Sequence, residues 1–153
     1  MNHRTTAALL LTAALSLTAC SSSGSSDGKP KASATNKQDG PTAKQAAAKL
    51  ADATGVTTLG EPTDNTGSCS NKAAGKEPSP NDCSQLITTH TVSIYEFPSA
   101  KVADQWTASR KKIDKTWRQV DRYALSWSAR DQALSSKERR TELETALRKI
   151  AKA

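Results

Sequence analysis

The stretch that decides the fold covers residues 86–129, LITTHTVSIYEFPSAKVADQWTASRKKIDKTWRQVDRYALSWSA. Its first part, Leu86 to Phe97, is rich in Thr, Ile, Val, Tyr and Phe, which predicts one long strand. Pro98 ends this strand, and Ser99 is a natural N-cap for a following helix. Apolar and polar residues then alternate again from Val120 to Ala129, which predicts another strand. The order is therefore strand, helix, strand.

The apolar positions assign faces to these elements. In the first strand Val92 and Ile94 lie on one face and Tyr95 and Phe97 on the other, so we expect a central place in a sheet. The helix has an inner stripe at a spacing of 3.6 residues, formed by Val102, Ala103, Trp106, Ile113 and Trp117. The last strand has one apolar face, formed by Tyr123, Leu125 and Trp127.

Three further elements flank this stretch. Thr42 and Gln45 form a capping-box pattern at the start of an alanine-rich helix that ends at Gly55. Val56 to Glu61 predicts a short strand. Near the C-terminus, Ser135 and Glu138 form a second capping-box pattern, before an inner stripe of Leu143, Ala146, Leu147 and Ile150.

These elements predict an α+β fold. A strand, helix, strand run with short connections favours two parallel strands joined by a right-handed crossover. We therefore expect a small sandwich, with a three- or four-stranded mixed sheet and about three helices on one face. Of the 153 residues only 21 are Leu, Ile, Val or Phe, while the net charge is +7. This composition excludes a large multi-domain enzyme and predicts one small domain with a thin core.

The N-terminus has the pattern of an export signal. Arg4 precedes an apolar stretch from Thr5 to Ser16, which is too short to span a bilayer. It ends in Leu17-Thr18-Ala19-Cys20, which resembles the lipobox of bacterial lipoproteins at all four positions. The resemblance implies that a diacylglyceryl group alkylates the Cys20 thiol and that the signal is cut before this residue. The alternative is an ordinary secretory signal with a chance cysteine.

The resemblance extends to the small lipoproteins of actinobacteria, which share an alanine-rich composition, a Ser/Gly tether and a single-disulfide domain. It implies a signal peptide over 1–19, a lipidated Cys20 with a disordered tether over 20–41, and one α+β domain over 42–153. The implied location is the extracytoplasmic face of the cell membrane. Two acyl chains suffice for stable attachment.

With Cys20 consumed by lipid, Cys69 and Cys83 are the remaining pair. An oxidising compartment favours a disulfide between them, closing a loop of about 15 residues, and the loop-entropy model gives about 3 kcal/mol for this closure. A metal or redox pair is the alternative, but zinc needs more ligands than two distant cysteines. We expect no metal and no cofactor.

The positive charge is concentrated in the last third of the chain. From Cys20 to Ala100 there are 7 basic and 8 acidic side chains, whereas from Lys101 to Ala153 there are 14 basic and 7 acidic ones. The distribution suggests a basic face, with anionic lipid, an anionic wall polymer or an acidic protein as partner and no nucleic acid. A simply solvated face is the alternative. The candidate residues are Arg110, Lys111, Lys112, Lys115, Arg118, Arg139, Arg140, Arg148 and Lys149.

We find no converging catalytic set in the sequence. His90 falls within the predicted strand, where a partly buried structural histidine is favoured over a general base. Ser109 and Lys112 match the Ser-x-x-Lys spacing of acyl-enzyme hydrolases without that class's other motifs. The sequence therefore favours a tethered, non-catalytic binding module. The alternatives are a tethered inhibitor or regulator of an extracellular enzyme, and a cell-envelope hydrolase.

Overall fold

The computed structural model describes residues 40–55, 59–128 and 135–153, all within the compact unit Asn36–Ala153. The predicted signal peptide, Cys20 with its lipobox, and the tether up to residue 39 lie outside the described residues. The described elements form an α+β fold, as predicted. They are α1 (Ala43–Thr54), β1 (Thr63–Asp64), β2 (Gln85–Thr88), β3 (Val92–Glu96), α2 (Ala100–Lys111), β4 (Arg118–Val120), β5 (Tyr123–Trp127) and α3 (Lys137–Ala151).

The sheet has five strands in the order β1-β2-β3-β5-β4, and all neighbouring strands are antiparallel. The predicted count of three or four strands was therefore too low, and the predicted mixed sheet was wrong. The prediction that β3 is central is confirmed, because it pairs with β2 on one side and with β5 on the other.

The extra strands arise because two predicted strands are hairpins. Leu86 to Phe97 is broken at Thr89, whose Oγ1 donates to the Val92 carbonyl (2.8 Å) and accepts from the Val92 amide (3.0 Å). Threonine favours strands. Here its side chain closes a tight turn, and its hydrogen bonds compete with the backbone hydrogen bonds between strands. His90 therefore lies in the turn and is exposed, so the prediction of a partly buried strand histidine was wrong.

A second turn splits the strand predicted over Val120–Ala129. Asp121 adopts a left-handed conformation with φ of 50°, which aspartate tolerates better than most residues. This turn joins β4 to β5. Most of the strand predicted over Val120–Ala129 is β5, which pairs antiparallel with β3, so the prediction of a parallel pair joined by a crossover was wrong. Strand β4 runs in the direction of β3 but is not adjacent to it, because the hairpin places β5 between them.

Helices cover both faces of the sheet, which corrects the expectation of helices on one face. Helices α1 and α3 pack on the face that carries Val92, Ile94 and Leu125. Helix α2 and the disulfide-linked loop pack on the opposite face, against Phe97 and Ala124. The second helical layer follows from the apolar side chains on both faces of β3, since each face must be covered.

The helix caps follow the sequence closely. Thr42 and Gln45 form the predicted capping box, and the predicted N-cap Ser99 accepts from the Val102 amide. The third cap is one residue later than predicted, because the Oγ of Ser136 accepts from the Arg139 amide and Ser135 lies outside the helix. The buried residues of α3 are Leu143 and Leu147, with Ala146 and Ile150 packed beside them, as the inner stripe predicted.

Two other predictions need correction. In the predicted strand Val56–Glu61, positions 56–58 lie outside the described residues, and the first described strand begins only at Thr63. In the stripe predicted for α2, Ile113 is 84% exposed because the helix ends at Lys111. Thr107 takes a buried position on the helix instead.

The predicted disulfide between Cys69 and Cys83 is present, with 5.5 Å between the two Cα atoms. The chain on either side of the closed loop is joined to the sheet by hydrogen bonds. The Ser84 amide donates to the Glu96 carbonyl (2.7 Å), and the Leu86 amide donates to Thr66 Oγ1 (3.1 Å). The disulfide thus holds a segment without a strand or long helix of its own over one face of the sheet.

Candidate functional site

The basic residues predicted to form one face divide between two helical layers. Arg110, Lys111, Lys112 and Lys115 lie at the end of α2 and in the turn after it, on one side of the sheet. Arg139, Arg140, Arg148 and Lys149 lie on α3, on the other side. Arg118 begins β4 at the sheet edge between them. The nine residues therefore lie on two helices and on the sheet edge between them, and the lysines at and after the end of α2 form a smaller cluster among them.

Most of the arginines are occupied by contacts within the domain. The guanidinium of Arg118 donates to the carbonyls of Thr116 (3.0 Å) and Trp117 (2.9 Å). Arg139 is paired with Glu142, and Arg148 with Glu144 at 2.7 Å. Arg140 donates to the Ser135 carbonyl and lies 5.8 Å from the ring centroid of Trp127. These side chains support the fold and are less free to bind a partner.

The lysines of the segment Arg110–Lys115, here called the basic turn, are different. Lys111, Lys112 and Lys115 are all exposed, and none of them forms an ion pair with another residue in the described ranges. Arg110 lies with its guanidinium carbon 4.7 Å from the ring centroid of Trp106, a cation–π contact. The basic turn therefore presents three ammonium groups to solvent from a short stretch of chain.

Hydrogen bonds fix the shape of this turn. The amides of Ile113 (3.0 Å) and Asp114 (2.9 Å) both donate to the Arg110 carbonyl. Asp114 Oδ1 accepts from the Thr116 amide (2.8 Å) and from Thr116 Oγ1 (2.6 Å). These two bonds, with help from the charges of Arg140 and Arg118, hold the pKa of the Asp114 carboxyl below its usual range. The Asp114 carboxylate is thus ionised, and it accepts its hydrogen bonds from within this part of the chain.

Ile113 is the feature of this turn that sequence reasoning missed. Across the described residues it is the one large apolar side chain that is exposed. Its neighbours on either side are the charged residues Lys112 and Asp114. The turn therefore combines one apolar tip with three exposed lysines and Arg110.

The basic turn lies at the end of the domain opposite to the point where the chain enters. Tyr123, at the start of β5, donates to the Pro41 carbonyl, whereas Trp127, at its end, donates to the Thr116 carbonyl (2.9 Å). Strand β5 thus runs from the entry of the chain to the basic turn. Helix α2 spans the same distance, about 18 Å for its 12 residues.

A buried ion pair holds the entry end. The Arg122 guanidinium lies 3.3 Å from Glu96 Oε1, with side-chain exposures of 8% and 3%. Arg122 also donates to the Pro41 carbonyl (2.8 Å), and Glu96 Oε2 accepts from the Ala43 amide at the start of α1 (2.7 Å). Burial raises the pKa of the adjoining Tyr123 phenol. Sequence reasoning missed this network, although Glu96 falls on the same alternating face as Val92 and Ile94.

Four aromatic rings form a cluster beneath α2. Tyr95 lies 5.2 Å from Trp117 and 6.2 Å from Trp106, and Phe97 lies 5.4 Å from Trp106, centroid to centroid. Phe97 is fully buried, while the other three are half-buried. Trp106 Nε1 and Thr107 Oγ1 are buried without a hydrogen-bond partner among the described residues.

The cavity that contains Ser109 does not assemble a catalytic group from the residues that the structure describes. Ser109 lines one of about 450 Å³ with Asn81, Gln105 and Trp106, and no carboxylate or histidine is among the residues that line it. His90 lies elsewhere, with its amide donating to the Leu59 carbonyl. A groove of about 420 Å³ between α1 and α3 is lined mainly by apolar and threonine side chains. The Ser-x-x-Lys spacing of Ser109 and Lys112 thus has no base beside it in the cavity.

The described ranges contain neither a metal site nor a membrane-spanning helix. No group of three or more His, Cys, Asp or Glu side chains is placed there to bind a metal ion. No helix in those ranges is both long and apolar enough to cross a bilayer.

Comparison with known proteins finds no matching family model, no matching curated protein and no matching solved structure. The site must therefore be interpreted from its own chemistry.

Proposed function

We propose that this chain is a lipoprotein anchored through Cys20 on the extracytoplasmic face of the membrane, and that its folded domain is a non-catalytic module that binds anionic partners. The observation that carries the binding role is the basic turn, where Lys111, Lys112 and Lys115 are exposed and form no ion pair with any residue that the structure describes. Cations that already have carboxylate partners gain less from a new anion, so the unpaired lysines define the binding surface better than the total charge does.

The anchoring role rests on the sequence. Leu17-Thr18-Ala19-Cys20 resembles a lipobox, and a polar stretch of the kind that follows a lipobox separates Cys20 from the domain. The cysteine count agrees with it, because Cys69 and Cys83 form a disulfide and leave Cys20 for the lipid. A thiol left unpaired in an oxidising compartment would be a liability.

Replacing Lys111, Lys112 and Lys115 together by Gln tests the binding role. The chain that begins at residue 20, with Cys20→Ser so that it carries no lipid, is titrated with inorganic polyphosphate at about 0.1 M salt, where the Debye length is about 10 Å. Each cation near an anionic surface contributes about 1 kcal/mol before screening, so we expect the triple variant to bind at least about tenfold more weakly. Binding of the parent chain should also weaken with added salt.

A matched variant removes the same charge elsewhere. Lys49, Lys76 and Lys101 are exposed and lie outside the basic turn, and their joint replacement by Gln lowers the net charge equally. This control should bind polyphosphate within about twofold of the parent, because distant surface charges are largely screened. Equal losses in both triple variants, or no binding by the parent chain, would contradict a role for the basic turn.

A further inference from the structure

We infer that the basic turn docks on the surface of an anionic lipid bilayer, with Ile113 inserted among the headgroups. This inference rests on the proposed function and names the partner of the same site. It assigns a role to Ile113, because electrostatic binding by the lysines does not explain why this apolar side chain is exposed.

The apolar tip is the first support. Ile113 is 84% exposed at the apex of a turn whose amides are bonded to the Arg110 carbonyl. A fixed turn presents the side chain at little additional cost in conformational entropy on binding. A soluble anionic polymer offers no apolar phase to such a side chain, whereas the boundary between headgroups and acyl chains does.

The charges around the tip are the second support. Lys111 and Lys112 precede Ile113 and Lys115 follows it, so cations stand on both sides of the apolar residue. The one anion of the turn, Asp114, is bonded to Thr116 and lies close enough to Arg118 and Arg140 for their charges to act on it. The surface that faces a membrane is therefore positive around an apolar centre, which complements anionic headgroups over acyl chains.

The position of the anchor permits this contact. The 19 residues 21–39 separate Cys20 from Gly40, and a chain of that length reaches at most about 65 Å. The basic turn lies about 18 Å from the entry end, the length of α2. The domain can thus turn its far end towards the membrane that holds it. Anchoring raises the effective concentration of that membrane, so a weak docking contact is sufficient.

Vesicles test the inference separately from the proposed function. The unlipidated chain from residue 20, with Cys20→Ser, is mixed with vesicles of phosphatidylglycerol and phosphatidylcholine, and with polyphosphate in a parallel titration. Ile113→Ser should weaken vesicle binding about fivefold or more, since the apolar contact is lost. It should leave polyphosphate binding unchanged, and Ile113→Leu should bind vesicles as the parent does. Thermal unfolding of each variant confirms that it is folded.

The outcomes separate the two claims. Vesicle binding that falls with Ile113→Ser and with the triple lysine variant, but not with Ile113→Leu, supports docking on the bilayer. Vesicle binding that is insensitive to Ile113→Ser overturns the insertion, and an absence of vesicle binding overturns docking on lipid and points to an acidic protein or polymer. In both cases, polyphosphate binding that is weakened by the triple lysine variant still supports the proposed function.

Discussion

Replacing Arg122 by Met is expected to lower the free energy of unfolding of the domain by about 3–5 kcal/mol, because the carboxylate of Glu96 would lose its cation while buried. Glu96 is 2% exposed, so water cannot take the place of the guanidinium without opening the structure. The substitution also removes the hydrogen bonds from Arg122 to the carbonyls of Gly40 (3.2 Å) and Pro41 (2.8 Å). Methionine keeps an apolar stem of similar length, so the loss reports on the guanidinium, through its charge and its hydrogen bonds, more than on packing. Denaturant unfolding measures it.

Two other variants separate this effect from a general loss of packing. Arg148→Met breaks a pair with Glu144 in which the arginine is 54% exposed, and we expect a loss of no more than about 0.5 kcal/mol. The double variant Glu96→Gln/Arg122→Met removes both charges, and it should recover part of the stability lost in Arg122→Met. A loss below about 1 kcal/mol for Arg122→Met would mean that the ion pair does not hold the entry end.

Replacing both Cys69 and Cys83 by Ala is expected to lower the stability of the domain by about 3 kcal/mol, since the unfolded chain regains the conformational freedom of the closed loop. For a domain of this size the loss corresponds to a fall of about 10–15 °C in Tm. The effect is large relative to the total stability, because the core contains few large aliphatic side chains. Thermal unfolding of the parent and the double variant gives the difference.

Reduction provides the control for the disulfide. Dithiothreitol should lower the Tm of the parent towards that of the double alanine variant and leave the variant itself unchanged. A double variant that unfolds within about 1 °C of the oxidised parent would show that the loop is held by the hydrogen bonds that flank it, such as the one from Ser84 to Glu96, and not by the covalent link.

Local patterns predicted the helices and the faces of β3. The capping box of Thr42 and Gln45 depends only on residues within one helical turn, and the N-cap at Ser99 does so too. The two hairpins were missed because neither turn contains glycine or proline. Thr89 closes the first through its own hydroxyl, and Asp121 takes a left-handed conformation in the second. Both residue types also occur within strands, so a single sequence does not distinguish the two outcomes.

The candidate site was only partly predictable for a different reason. The lysines of the basic turn were identified from their density, but the contacts of Arg118 with Glu144 and of Arg140 with Trp127 depend on how α3 is packed. The pairs of Arg139 and Arg148 lie within α3, and their i,i+3 and i,i+4 spacing could have been recognised in the sequence. Ile113 was assigned to an inner stripe because its spacing fits a longer helix, and it becomes exposed once α2 ends at Lys111. Glu96 could have been recognised, since a carboxylate on the apolar face of a central strand requires a buried cation.

The central claim, a binding domain held at the membrane by lipid, is tested most directly by the intact mass of the protein extracted from the membranes of cells that express the full chain. We predict a chain that begins at Cys20 and carries the mass of a diacylglyceryl group and its fatty acyl chains, while Cys20→Ala yields no lipidated species and leaves the membrane fraction or accumulates uncleaved. An unmodified cysteine at position 20, or a mature chain that begins elsewhere, would contradict the account.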